Sequence, residues 1–250
     1  YALLLPEAVD VRLAVLDAQL AQAQWAAAAD SLESLGTVLG EQSPQLAWRR
    51  AQWLAVMQAA KAGDAYLWAV QSATEQSDAQ SMQQAQRTYV SWLIGRSQLN
   101  EAAAVLDHMD GNDPKTAELR GQWASERGDL ERARAEYTTA IERWQTRGLN
   151  GDARRASLGL IELALRAGDA PLAVELAESL LVESAQQGDS RLEGDGREAL
   201  GRAYTGLGKF AFAIEHLSAA TELARSRGDV RREATGRYHL GNALAQERKR

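Results

Sequence analysis

The sequence contains no cysteine. That excludes disulfides, thiolate metal sites and cysteine nucleophiles, and it fits a reducing compartment, so a cytoplasmic location is expected. Proline (4 residues) and phenylalanine (2 residues) are scarce, and valine and isoleucine are scattered rather than alternating. Nothing therefore reads as a β-strand. No apolar run approaches the roughly 20 residues that span a bilayer, so no membrane partner is expected. Positive charge is short in the first half. Residues 1–125 hold 8 Lys and Arg against 14 Asp and Glu, which is the whole net charge of −6, whereas residues 126–250 balance 20 against 20. No basic stripe is available to neutralise phosphates, so nucleic acid is not an expected partner of this segment.

Catalytic groupings are also missing. His108, His216 and His239 have no second histidine at ligand spacing, and Gly194-Asp195-Gly196 follows no strand, so neither a metal site nor a phosphate loop is read here. Glu131 and Glu136 lie five residues apart in a helical pattern and do not stack on one face. The expectation is a protein with no metal, no cofactor and no catalytic residues: a binder, not an enzyme.

What is abundant is Ala, Leu, Glu, Gln and Arg in repeating blocks. The clearest block runs Ala199-Leu200-Gly201-Arg202-Ala203-Tyr204-Thr205-Gly206-Leu207-Gly208-Lys209-Phe210 and continues through Ala213, Leu217 and Ala220. Gly128-Asp129-Leu130, Gly168-Asp169-Ala170 and Gly208-Lys209-Phe210 recur at 40-residue steps, as do Ala133, Ala173 and Ala213. Glycine at the corner can take positive φ and end a helix, and the small alanine lets two helices cross closely. Leu200, Tyr204 and Leu217 fill the space between helices. Less regular corners are read at residues 25, 65 and 99. First helices of successive pairs are expected near 9–22, 46–62, 81–96, 115–127, 152–167, 192–207 and 232–248, and second helices near 25–37, 65–76, 99–109, 130–147, 170–187 and 210–227. Trp68 sits where a small residue is expected in the second pair. Beginning at Tyr1 and stopping inside a helical pattern, the sequence reads as an excerpt of a longer chain.

The Leu-Gly, Tyr, corner Gly, aromatic, Ala, large apolar, Ala series resembles the tetratricopeptide repeat. That resemblance implies an all-α, right-handed superhelical solenoid of antiparallel helix pairs, loosely matched over 1–79 and well matched over 80–250 as one continuous array with a truncated last repeat. The 40-residue period is similar to the repeats in helical sensor regions of MalT-type and related bacterial transcription regulators. Two functions follow as expectations. One is a scaffold that holds a protein or peptide in its concave groove. The alternative is a regulatory domain that binds a small effector or mediates self-association, so homo-oligomerisation is a further expected property.

In such a solenoid the first helices line the groove. The register then points to Arg87, Gln122, Arg155, Glu162, Arg166, Glu198, Arg202, Tyr238 and Asn242, with Arg50 and Trp53 in the looser half. Arginines offer forked donors to carboxylates, which suits an acidic or mixed-charge segment. Trp53, with Arg50 and Met57, reads either as core packing or as an exposed ligand anchor.

Overall fold

The computed structural model describes residues 6–249; the two ends of the sequence, Tyr1 and Arg250, lie outside the described residues. The described residues are all-helical, with thirteen helices and no strand. Packing divides the chain into two compact units, residues 1–109 and 110–250, whereas the sequence changes character at 79/80.

Unit 1 holds α1 (Pro6–Ala21), α2 (Trp25–Leu39), α3 (Pro44–Met57), α4 (Ala59–Glu75), α5 (Ala79–Gly95) and α6 (Leu99–Leu106). Each packs on its neighbours in sequence, and α3 also touches α1 and α5. Unit 2 holds α7 (Pro114–Glu126), α8 (Leu130–Thr146), α9 (Asn150–Ala167), α10 (Ala170–Gln187), α11 (Ser190–Gly206), α12 (Phe210–Ser226) and α13 (Val230–Glu247). Here too consecutive helices pack, and the odd-numbered helices α7, α9, α11 and α13 meet one another in series. The even-numbered α8, α10 and α12 do not touch each other.

The corners of unit 2 keep a strict step. Positive φ falls on Gly128, Gly148, Gly168, Gly188, Gly208 and Gly228, every 20 residues. Each corner is a Schellman motif: the N–H of Gly168 bonds the carbonyl of Leu165 and that of Asp169 bonds Ala164, with the same pattern at Gly128/Asp129 and Gly188/Asp189. Two carbonyls at the helix end are satisfied in this way. The residue after the glycine is often aspartate, and its carboxylate caps the next helix: Asp129, Asp169, Asp189 and Asp229 accept from the backbone N–H three residues on. One dipeptide thus ends one helix and starts another, so the 40-residue repeat is two nearly equal 20-residue halves.

The second helices share a buried stripe. Their fourth residue is always alanine, at Ala28, Ala62, Ala102, Ala133, Ala173 and Ala213, and each is fully buried. This corrects the second pair. Its second helix starts at Ala59, not near 65, so the small residue is Ala62, and Trp68 lies on the outer face, 38% exposed. Gln58 alone separates α3 from α4. Gly63-Asp64 lies inside α4, where a Cβ on Gly63 would meet the Trp92 ring at 3.6 Å, an ordinary contact.

Four residues later, first and second helices exchange bulk. Gly121, Ile161 and Gly201 recur at 40-residue steps on α7, α9 and α11, and Tyr137, Ala177 and Leu217 recur on α8, α10 and α12. A Cβ on Gly201 would stand 2.3 Å from Leu217 Cγ, and one on Gly121 would stand 3.0 Å from the Tyr137 ring. Where the first helix carries Ile161, the second carries Ala177, both in one buried cluster. Volume is conserved across the contact while its donor alternates, as close packing requires.

Candidate functional site

Because the halves are equal, each odd-numbered helix of unit 2 lies beside the next with a 40-residue offset. Residues at the same repeat position therefore face one another across neighbouring odd helices. Two opposite charges at one repeat position pair in this way: Arg166 of α9 donates to Glu126 of α7, and Arg202 of α11 grips both oxygens of Glu162 on α9 at 2.6 and 3.0 Å; Arg155 and Asp195, also 40 residues apart, take other partners. Arg232 of α13 holds both oxygens of Asp195 on α11 at 2.7 and 2.9 Å. His239 stands 3.9 Å from Glu198 in the next step of the same contact. Unit 1 repeats the device once, with Arg49 of α3 on Asp17 of α1 at 2.6 and 2.7 Å.

The result is a ledge of alternating sign along the odd helices. Its members differ in exposure, and that sets their energetics. Arg166 and Glu126 are both more than a third exposed, so their pair contributes at most about 1 kcal/mol. Asp195 and Glu198 are more deeply placed. Burial raises both carboxyls above the ordinary range, against the pull of Arg232 and Arg202 respectively. His239 shifts the other way, lowered by burial first and by Arg202 second.

The residues named from the sequence fall into three groups. Arg166, Glu162, Arg202 and Glu198 stand together on the odd-helix face; the first three are held in close ion pairs, and Glu198 stands 3.9 Å from His239. Gln122, Tyr238 and Asn242 are exposed on odd helices, with Tyr238 packed edge-on against His239 at 5.2 Å. Arg155 is exposed and pairs locally with Asp152 at 2.5 Å. In unit 1, Arg87 is half-buried on α5, and Arg50 reaches Glu41 at 2.5 Å. Trp53 packs at the edge of the cluster formed by Leu13, Leu16, Ala28, Leu32, Leu35 and Leu46, and its indole N–H donates to the Trp25 carbonyl at 2.9 Å. The ring satisfies the core and its polar edge is spent on backbone.

Glu126, Asp195 and Arg232 are ion-pair partners outside the residues that the register points to. For Glu126 the signal is opposite charge at one repeat position 40 residues apart, as in Glu162/Arg202; Asp195 and Arg232 are 37 apart and carry no such signal. Tyr204 also differs from a buried space-filler. It is part-exposed, stacks on His216 at 5.6 Å and lies 5.5 Å from Phe212, and its hydroxyl donates to Glu178 at 3.1 Å.

Among the described residues no group of three or more His, Asp or Glu is placed to hold a metal ion, and no described helix is long and apolar enough to cross a membrane. The chain matches no protein-family model and no curated protein.

Proposed function

We propose that the chain is a tetratricopeptide-like solenoid that acts by binding, holding an extended protein segment along the face of its odd-numbered helices. The observation that carries this reading is the ledge of unit 2, a row of ion pairs along α7, α9, α11 and α13, the layer of that unit whose helices meet in series. Its arginines already have carboxylate partners. An acidic segment would exchange with Glu126 and Glu162 for Arg166 and Arg202 rather than meet free cations. Affinity on this reading is modest and falls with salt.

The test is capture from a cell extract of the source organism at low and high salt, read by mass spectrometry. R166E/R202E sets like charges against Glu126 and Glu162 and is expected to lose the captured protein while retaining its helical circular dichroism. Restoring the ion pairs in reverse, with E126R and E162R added, is expected to recover thermal stability but not capture. Capture that survives R166E/R202E would remove the odd-helix face from consideration. A second reading, a regulatory domain that binds a small effector, is favoured by one observation: a polar cleft between α8 and α10 in unit 2.

A further inference from the structure

Because α8 and α10 do not touch, a cleft of about 350 Å³ opens between them, floored by α9. That volume is at the small end of the range for ligand sites, roughly 300–1,000 Å³. Ile141, Leu176 and Leu180 supply an apolar wall, and Gln145, Ser157 and Gln187 supply amides and a hydroxyl.

Two charged groups line this cleft, Arg154 and Glu183. Helices α9 and α10 run antiparallel about the Gly168-Asp169 corner. Arg154 stands fourteen residues before Gly168 and Glu183 fourteen after Asp169, so the two stand at about the same height on neighbouring helices, Arg154 on the floor and the exposed Glu183 on the α10 wall. Yet no ion pair joins them among the described residues, and the buried Nε of Arg154 has no hydrogen-bond partner. Glu183 has only a long contact from the Ser179 hydroxyl at 3.5 Å. That Nε is enclosed by protein, so a ligand in the cleft would meet the guanidinium through its terminal nitrogens, for which a carboxylate is the forked complement.

The repeat supplies its own control. Forty residues on, Arg154 becomes Gly194, Ser157 becomes Arg197, Glu183 becomes Leu223 and Gln187 becomes Arg227. There the protein fills the space itself. Leu223 and the Arg227 guanidinium lie beside Gly194, Arg227 donates to the Ser190 carbonyl at 3.1 Å, and Arg197 is bonded to Glu193 at 2.9 Å. At the same register the charged side chains of the next repeat are bonded within the protein, whereas Arg154 and Glu183 share no ion pair and line an open cleft.

We infer that the α8–α10 cleft binds a free α-amino acid, its carboxylate on Arg154 and its ammonium on Glu183. The side chain of the ligand lies against Ile141, Leu176 and Leu180. This deepens the effector reading and is independent of the odd-helix face.

Isothermal titration calorimetry of the intact chain with L-leucine and with L-glutamine tests it, the two probes separating an aliphatic from an amide side chain. At least one is expected to give saturable heat. Removing either charged end, as 4-methylpentanoate and 3-methylbutylamine do for leucine, is expected to weaken binding at least tenfold. R154Q and E183Q are each expected to do the same with unchanged melting temperature and circular dichroism. R166E/R202E should bind the amino acid normally, so a failure of the odd-helix reading leaves this one standing. No heat from either probe, or equal binding by R154Q, would overturn the inference.

Discussion

In residues 110–250 every positive-φ corner is a glycine, and the corners fall at a constant 20-residue step. In residues 1–109 the positive-φ positions are Ala23, Gly40, Ser77 and Ser97, and α3 joins α4 through the single residue Gln58. The Schellman hydrogen bonds are the same in both: Ser97 N–H bonds Ile94 and Gln98 N–H bonds Leu93, as Gly208 and Lys209 bond Thr205 and Tyr204. What differs is how the left-handed residue is provided. A side chain there costs on the order of 1 kcal/mol, which glycine avoids. Unit 1 packs large rings where unit 2 alternates glycine with bulk: Tyr66, Tyr89 and Trp92 cluster at 5.3 to 6.1 Å. The lesson is that one helix-pair architecture tolerates local irregularity when aromatic packing replaces regular corners.

The largest expected effect breaks the packing side of that comparison. Gly201→Ala places a Cβ against Leu217 and is expected to cost about 2–3 kcal/mol by overpacking. Adding Leu217→Ala makes room for bulk on the first helix, so Gly201→Ile/Leu217→Ala, which copies Ile161 and Ala177, should recover at least half of the loss of Gly201→Ile alone. In unit 1, Gly63→Ala meets Trp92 only at 3.6 Å, ordinary contact, and is expected to gain about 0.5–1 kcal/mol of helix propensity. Urea denaturation of the variants reads all of these. Equal costs at Gly63 and Gly201 would erase the distinction between the units.

An intermediate effect addresses the corners. Ser77→Gly and Ser97→Gly should each stabilise unit 1 by up to about 1 kcal/mol, and Gly208→Ala should destabilise unit 2 by about the same amount. Amide hydrogen exchange within each unit checks the opposite signs.

The smallest effect sharpens the ledge of unit 2. Glu198 has its carboxyl raised mainly by burial, with Arg202, Asp195, Arg232 and Glu162 as the charged groups around it. A raised folded-state value means its contribution is fully present below the ordinary glutamate range and is lost as pH rises through the folded value. Glu198→Gln keeps the neutral form at every pH. At pH 7 it should be at least as stable as the parent, by under about 1 kcal/mol, and near pH 4 the two should converge. Thermal melts at both pH values measure this. A gap that widens in acid would mean that pairing, not burial, governs Glu198.

Much of the fold was readable because its signals are local. The start of α8 at Leu130, of α10 at Ala170 and of α12 at Phe210 follows from corner glycines and the alanine three residues on. The start of α4 was not readable. Gln58 carries no turn chemistry, and Gly63-Asp64 has the residues of a corner while lying inside the helix. The ledge was half readable: Arg166 and Arg202 could be placed on one face, but their commitment to Glu126 and Glu162 needed the offset between neighbouring helices.

By itself the sequence determined the all-helical character and the corners of unit 2, since capping, propensity and left-handed glycine act within a few residues. Only the tertiary structure decided which arginines are paired and that Arg154 and Glu183 share an open cleft. The ion pairs join helices two apart in the chain and the cleft opens between α8 and α10, so both depend on spacings that no short-range pattern encodes.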